Sequence, residues 1–319
     1  MNAINKEIEY SVVIPVFNEE GNVELLYNRI INTMKKLNQH YEIIFVDDGS
    51  TDCTLEILQT LKRKDENLKI IKFRRNFGQS AAIGAGFEYA RGKVIIAMDG
   101  DLQNDPADIP RLIGKLNEGY DIVSGWRKNR QDKLIIRKIP SKIANGLIRF
   151  LTRVPIHDTG CSLKAYRKEV VKKIRVYGEL HRFIPALARI EGARIGEIVV
   201  NHYPRKFGQS KYNITRTFKV IMDLTTLNLL LKYLPNPTHF FGLLGLLFNL
   251  FGGIVLISIT YSLTKLHFQL SETNVLLSTA FLFFAGGFQL LFFGLIANMV
   301  IKTGDRKNIK LFDRYPEKD

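Results

Sequence analysis

Cysteine is scarce in this chain. Only Cys53 and Cys161 occur among 319 residues, in unrelated contexts and without paired spacing. That excludes a disulfide framework and a zinc site of the Cys-x-x-Cys kind. No GxxxxGK[ST] segment occurs, so a P-loop is excluded, and "GQSAAIGAG" lacks the GxGxxG spacing of a dinucleotide fingerprint. The amino terminus, "MNAINKEIEYSVVIPVF", shows no basic stretch followed by an apolar one, so a cleavable signal peptide is not expected. Internal repeats and low-complexity tails are also missing.

Charge is missing from two long runs, Phe240–Leu263 and Thr273–Ile301. Each exceeds the roughly 20 apolar residues that cross a bilayer. Two buried core helices are the alternative, and the length of both runs argues against it. Only a short loop separates them, so a transmembrane hairpin is expected at about 236–302, with spans near 240–263 and 275–301. Lys302, Arg306, Lys307, Lys310 and Arg314 follow the second run, and Lys232 precedes the first. Cations gather on the cytoplasmic side of spans, which places both the large amino-terminal part and the basic tail 303–319 in the cytoplasm.

Elsewhere charge is abundant and unbalanced. Lys and Arg number 46 against 31 Asp and Glu, a net charge of +15. Such an excess points to phosphates or anionic lipid, and its placement beside apolar stretches disfavours nucleic acid. "KIPSKIANGLIRFLTR" (138–153) alternates Ile139, Ile143, Leu147 and Phe150 with Lys138, Lys142, Asn145 and Arg149 at helical spacing. "RTFKVIMDLTTLNLLLKYL" (216–234) is a second amphipathic stretch. Both read as helices in the headgroup region, or as ordinary helices packed on a sheet. In the first reading Lys138, Lys142 and Arg149 are candidates for a lipid phosphate.

The first 130 residues alternate apolar runs with helical patterns. "YSVVIPVF" (10–17), "YEIIFVDD" (41–48), "LKIIKF" (68–73) and "KVIIAM" (93–98) read as strands buried on both faces, with helices between them and a further strand at 121–127. This alternation predicts an α/β, mainly parallel, Rossmann-like sheet with helices on both faces. Ligands of such sheets bind at the carboxyl ends of the strands. Here those ends read "PVFNEE", "VDDGSTD", "FRRNFGQS" and "MDGDLQND".

The last of these is not an EF-hand, because Asn104 and Pro110 stand where glycine and a bidentate glutamate are needed. On an extended backbone Asp99, Asp101 and Gln103 would project to one side. Three oxygen-bearing groups so placed could hold Mg2+ or Mn2+ with open positions for phosphate oxygens.

Together, "SVVIPVFNEEGNV", "FVDDGSTDCTLEIL", "RRNFGQSAAIGAGFEYARG" and "MDGDLQNDPADIP" resemble glycosyltransferase family 2 with its GT-A fold. "IHDTGCSLKAYRKEV", "HYPRKFGQSKYN" and the two apolar runs are similar to its polyisoprenyl-phosphate branch, with bacterial bactoprenol-phosphate glucosyltransferases and dolichol-phosphate mannose synthases. The resemblance implies a catalytic domain over 1–215, a juxtamembrane helix over 216–235, and inverting transfer of a hexose from a nucleotide-sugar to polyprenyl phosphate. Glucose from UDP-glucose is the first expectation, with GDP-mannose and UDP-linked aminoarabinose derivatives as alternatives. A non-catalytic nucleotide-sugar-binding or lipid-translocating membrane protein is the rival from another class. A processive synthase is disfavoured, since no QxxRW motif occurs.

The resemblance also implies roles. Pro15, Phe17, Asn18 and Glu19 line the nucleotide pocket, Asp47 or Asp48 bonds the base or ribose, and Asn76, Gly78 and Ala82 shape a further wall. Asp99, Asp101 and Gln103 form the metal-diphosphate site, and Gly100 belongs to the nucleotide-sugar pocket. Asp158 faces the sugar and acceptor, orienting or balancing charge rather than acting as a base. Arg205, Gln209, Ser210 and Lys211 close over the phosphates. Residues 47–50 and 158–160 could instead be plain turns, and Arg205 to Lys211 a solvated loop. His157 and His202 carry no assigned role, and an oligomer is open.

Overall fold

The computed structural model describes residues 7–128, 154–172, 180–190, 192–204, 237–265 and 274–303. The expected helices at 138–153 and 216–234 lie outside them. The described chain forms two units, one holding the sheet and the other the two apolar helices.

The sheet unit begins with β1 (Tyr10–Val16), α1 (Val23–Lys36), β2 (Tyr41–Asp47), α2 (Thr54–Lys62), β3 (Leu68–Lys72), α3 (Gln79–Tyr89) and β4 (Val94–Ala97). A short 3-10 turn at Pro106–Asp108 leads into α4 (Ile109–Asn117) and β5 (Ile122–Trp126). Then come β6 (Lys164–Arg167), α5 (Lys168–Val171), α6 (Ile184–Ile190) and β7 (Ile195–Val199). β1 is buried along its whole length and β2 nearly so, as a strand covered on both faces must be. α1 buries Val23, Leu26, Tyr27, Ile30 and Met34 on one stripe, with Glu24 in its first turn and Lys35 and Lys36 in its last. That charge placement suits the helix dipole. α3 is built from small residues for a reason: a Cβ on Gly86 would lie 2.2 Å from Val13 Cγ1. The helix therefore lies directly on the sheet.

The strand order is β3-β2-β1-β4-β6-β5-β7. β1, β2, β3 and β4 pair in parallel, and so do β5 and β7. β6 runs antiparallel to both its neighbours, with Ala97 opposite Lys164 and Ser124 also opposite Lys164. The sheet is thus mixed, with one reversed strand in the interior. Because β6 starts where β4 and β5 end, residues at its entrance share an edge with the carboxyl ends of the parallel strands.

The second unit consists of α7 (Pro237–Lys265) and α8 (Asn274–Thr303), packed against each other as a hairpin. Gly245 lies against the Gly287 carbonyl and Leu291, and Gly287 receives Asn249. Outward-facing Leu243, Leu246, Leu250, Ile257, Phe281, Leu282 and Phe292 are exposed. At 29 and 30 residues the helices measure about 44 Å at ~1.5 Å per residue. They are long and apolar enough to cross a membrane.

Candidate active site

The acidic motif does not continue β4. The strand ends at Ala97, and Leu102 adopts φ +59°, a left-handed conformation that is costly for a leucine. Its side chain is held in the core at 2 % exposure, which pins the loop from beneath. The period-two projection expected of Asp99, Asp101 and Gln103 is therefore replaced by a bend. Within it Asp101 Oδ1 accepts a bond from the Gln103 amide at 3.2 Å. Gly100 permits close approach, since a Cβ there would lie 2.7 Å from Val16 Cγ1.

Asp99 Oδ1 accepts from Gln79 Nε2 at 2.6 Å. Burial, and then the neighbouring Asp101 charge, push the Asp99 carboxyl up; a hydrogen bond from Ser162 and the charges of Arg127 and Lys164 oppose them. Two carboxylates crowded in this way fit a divalent cation, which would relieve their repulsion. Among the described residues no group of three His, Cys, Asp or Glu could hold a metal alone. A cation here would rest on Asp99 and Asp101, with Gln103 and the substrate's own oxygens completing its shell. Gln103 Nε2 reaches the Tyr203 carbonyl at 3.5 Å, which leaves its Oε1 as the oxygen that could ligate a cation.

The loops after β1, β2 and β3 are fastened to one another. Asp48 accepts from the amides of Phe77 at 2.7 Å and Gly78 at 2.9 Å. Gly49, at φ +73°, lets the Arg75–Asn76 backbone lie where a Cβ would come within 2.5 Å of it. Asn18, at φ +55°, accepts from the Thr51 amide at 2.8 Å, and the Glu19 amide donates to Thr54 Oγ1. Asp47 is fully buried: Oδ1 accepts from the Ser50 amide at 3.0 Å, whereas Oδ2 has no hydrogen-bond partner among the described residues. Pro15 and Ala82 are also buried and support this edge from behind, while Phe17 and Gly78 are half-buried and Asn76 is exposed. Asp48, Asn18 and the Gly49 approach thus shape the loops, and Asp47 Oδ2 is the acceptor left over.

The far half of the sheet brings a different set together. Asp158 forms a bidentate pair with Arg127, at 2.7 Å to Nε and 3.0 Å to Nη2, and also accepts from the Arg127 amide at 3.3 Å. Both side chains are about nine-tenths buried, at 11 % and 9 % exposure. Burial works against the Arg127 charge, but the bonds from Asp158 outweigh it and hold the guanidinium above its ordinary value. Lys164, at the entrance to β6, is buried and donates to the carbonyls of Thr159 and Cys161. Burial pulls its ammonium down. Glu197 of β7 accepts from the amides of His157 and Asp158.

The family model described as glycosyl transferase family 2 matches residues 11–175. The dodecaprenyl-phosphate galacturonate synthase of Rhizobium johnstonii is 42 % identical over 302 residues, covering 93 % of this chain and 89 % of that protein. The chain belongs to glycosyl transferase family 2. The undecaprenyl-phosphate 4-deoxy-4-formamido-L-arabinose transferase of Salmonella choleraesuis is 37 % identical over 291 residues, 91 % of this chain and 87 % of that one. With these relatives the chain stands in the polyprenyl-phosphate branch of the family. A glucosyl-3-phosphoglycerate synthase of Mycobacterium tuberculosis, solved with Mn2+ and uridine-diphosphate-glucose, superposes with a TM-score of 0.53 at 16 % identity. The match covers 69 % of this chain and 79 % of that one, and shows the shared GT-A fold.

For this glycosyl transferase the expected Arg205, Gln209, Ser210 and Lys211, and the lipid-phosphate candidates Lys138, Lys142 and Arg149, lie outside the described residues. The sequence reading missed Arg127, Lys164 and Glu197. Arg127 had a usable signal, an arginine directly after the strand "IVSGW" at the edge where ligands bind. Lys164 and Glu197 had none, because nothing in the hydropathy of their strands marks a charged side chain as covered.

Proposed function

We propose that this family 2 glycosyl transferase moves a sugar from a nucleotide donor to a polyprenyl phosphate at a membrane surface. The observation that carries the reading is the meeting of the Asp99–Asp101 loop and the buried Arg127–Asp158 pair at one sheet edge, in a chain that also has two helices able to cross a membrane.

The donor's leaving diphosphate gains charge as the sugar departs. Mg2+ or Mn2+, when bound, supplies the counter-charge for those oxygens. Asp99 and Asp101 would hold that cation, and Gln103 would contribute its side-chain oxygen. Asp47 Oδ2 is an unsatisfied acceptor at the end of β2, but it is fully buried, so it would meet the donor's base or ribose only if the loops over it gave way. Asp158 is committed to Arg127 through both oxygens, so it orients and neutralises the guanidinium and is unsuited to removing a proton. None need be removed: a phosphate monoester with a second pKa of about 6 arrives largely ionised. What it requires is placement for in-line displacement with inversion.

The relatives' names, galacturonate and 4-deoxy-4-formamido-L-arabinose, set a UDP-linked uronate or modified pentose ahead of the UDP-glucose expected from overall likeness. Residues 1–215 are assigned to the cytoplasmic face by the cations flanking α7 and α8, as in a bacterial plasma membrane. The test is a panel of radiolabelled nucleotide-sugars with undecaprenyl phosphate, with and without Mg2+ or Mn2+. Label should pass to an organic-extractable lipid with one donor of the panel, in a metal-dependent way. If no donor yields such a product, the reading fails.

A further inference from the structure

Glu197 has no part in the chemistry described so far, yet three bonds converge on it. Its side chain is 8 % exposed in the middle of β7. Oε1 accepts from the amides of His157 at 2.9 Å and Asp158 at 3.2 Å, and Oε2 meets His157 Nδ1 at 2.7 Å. The His157 ring lies flat on Trp126, with centroids 4.4 Å apart and planes 17° from parallel. The residue after Trp126 is Arg127, which grips Asp158. β7 pairs directly with β5, with Ser124 opposite Glu197 and Trp126 opposite Val199. The contacts close a ring: from β5 through Arg127 to Asp158, across two amides to Glu197, and back along the β7–β5 pairing.

Burying a carboxylate costs free energy unless its acceptors are filled. Here they are filled by the backbone amides of the two residues that carry the site turn. Holding the half-exposed His157 would not need a buried acid. What the acid fixes is the direction in which Asp158 leaves the backbone.

We propose that Glu197 is a positioning residue for the transfer: it locks the 157–158 turn and, through Asp158, sets the direction of the Arg127 guanidinium toward the substrate phosphates. The proposal rests on the transferase reading above. Displacing a group of this kind by about 1 Å can cost on the order of 10²-fold in rate. Gln at 197 can keep the geometry, its Oε1 taking both amides and its Nε2 donating to Nδ1. Ala cannot.

The chain's single tryptophan is Trp126, so its emission reports the His157 stack without any substrate. The experiment compares full-length Glu197→Ala, Glu197→Gln and His157→Ala in detergent or liposomes, measuring Trp126 emission, melting temperature, and kcat and KM for donor and acceptor. Glu197→Ala should lower kcat by roughly tenfold to a hundredfold, and should change Trp126 emission as His157→Ala does. Glu197→Gln should restore most of the rate and the wild-type emission. His157→Ala, which keeps both amides, should keep the rate. Glu197→Ala with wild-type kcat overturns the proposal, and so does Glu197→Gln as impaired as Glu197→Ala. A rate loss in Glu197→Ala that merely follows its unfolded fraction overturns it as well. A wild-type protein that transfers no sugar overturns the transferase reading, and this proposal with it.

Discussion

The two halves of the sheet treat their site aspartates in opposite ways, and Glu197, which accepts from two amides, is the exception among the acids of the mixed half. In the parallel half, β3-β2-β1, Asp48 and Asp47 accept bonds from backbone amides and shape the loops. In the mixed half, β6-β5-β7, Asp158 is spent on a cation, and Lys164 lies buried beside it. One half gains rigidity from acceptor geometry, the other from charge cancelled by charge. Asp99 and Asp101 sit on the boundary, where β4 meets β6. The contrast separates what a carboxamide can replace from what it cannot.

The boundary should give the largest effect. Asp101→Ala should lower transfer on the order of 10²–10³-fold and abolish Mn2+-dependent donor binding in calorimetric titration. Membrane association should survive, because α7 and α8 are untouched. Loss of membrane association would remove the distinction between the two units.

Within the mixed half, Asp158→Asn should be nearly as damaging as Asp158→Ala. Removing one partner of a buried pair leaves a stranded charge costing about 3–5 kcal/mol, readable in denaturant melts of the detergent-solubilised protein. The double change Arg127→Met with Asp158→Leu should recover much of that stability while transfer stays lost. Equal tolerance of Asn at 158 and at 48 would break the comparison.

In the parallel half, Asp48→Ala strands the Phe77 and Gly78 amides and should cost about 1–3 kcal/mol. Asp48→Asn keeps one acceptor oxygen but sets its NH2 against the other amide, so it should recover only part of that loss.

The smallest effect concerns Cys161, fully buried in the mixed half. Burial pushes its thiol up from 9.0 to about 11. Because the folded value lies above the unfolded one, the folded chain holds more protons between those values. Its contribution to stability should be complete below pH about 9 and be lost as pH rises through about 11. Cys161→Ala should flatten that part of the stability–pH curve. Native Cys161 should also resist alkylation at neutral pH, in line with the inertness of buried thiols.

The same contrast explains what could be read from sequence. β1, β2 and β4 were legible because strands covered on both faces become unbroken apolar runs; β3 was found as a strand but, at the sheet edge with Lys69 and Lys72 exposed, it is not covered on both faces as expected. β6, "KAYR", carries a lysine that the fold buries and β7, "IGEIV", a glutamate whose side chain is only 8 % exposed, and no hydropathy pattern announces a covered charge. The acidic motif was legible as chemistry and not as geometry: Leu102 looks like any strand residue, and only the core that captures it forces the left-handed turn. Asp158 was found by its motif and its partner was not, because Arg127 belongs to a strand end some thirty residues earlier in the chain.

The reversal of β6 also bears on the order in which the protein is made. β1 to β4 can pair as soon as they leave the ribosome, and their loops can fasten at once. β6 must wait until the chain has passed beyond β5 and then thread between β4 and β5 against their direction; β7 follows later still. Long-range pairing of this kind forms slowly. The Arg127–Asp158 pair and its Glu197 support therefore form after the loops of β1 to β4 have fastened.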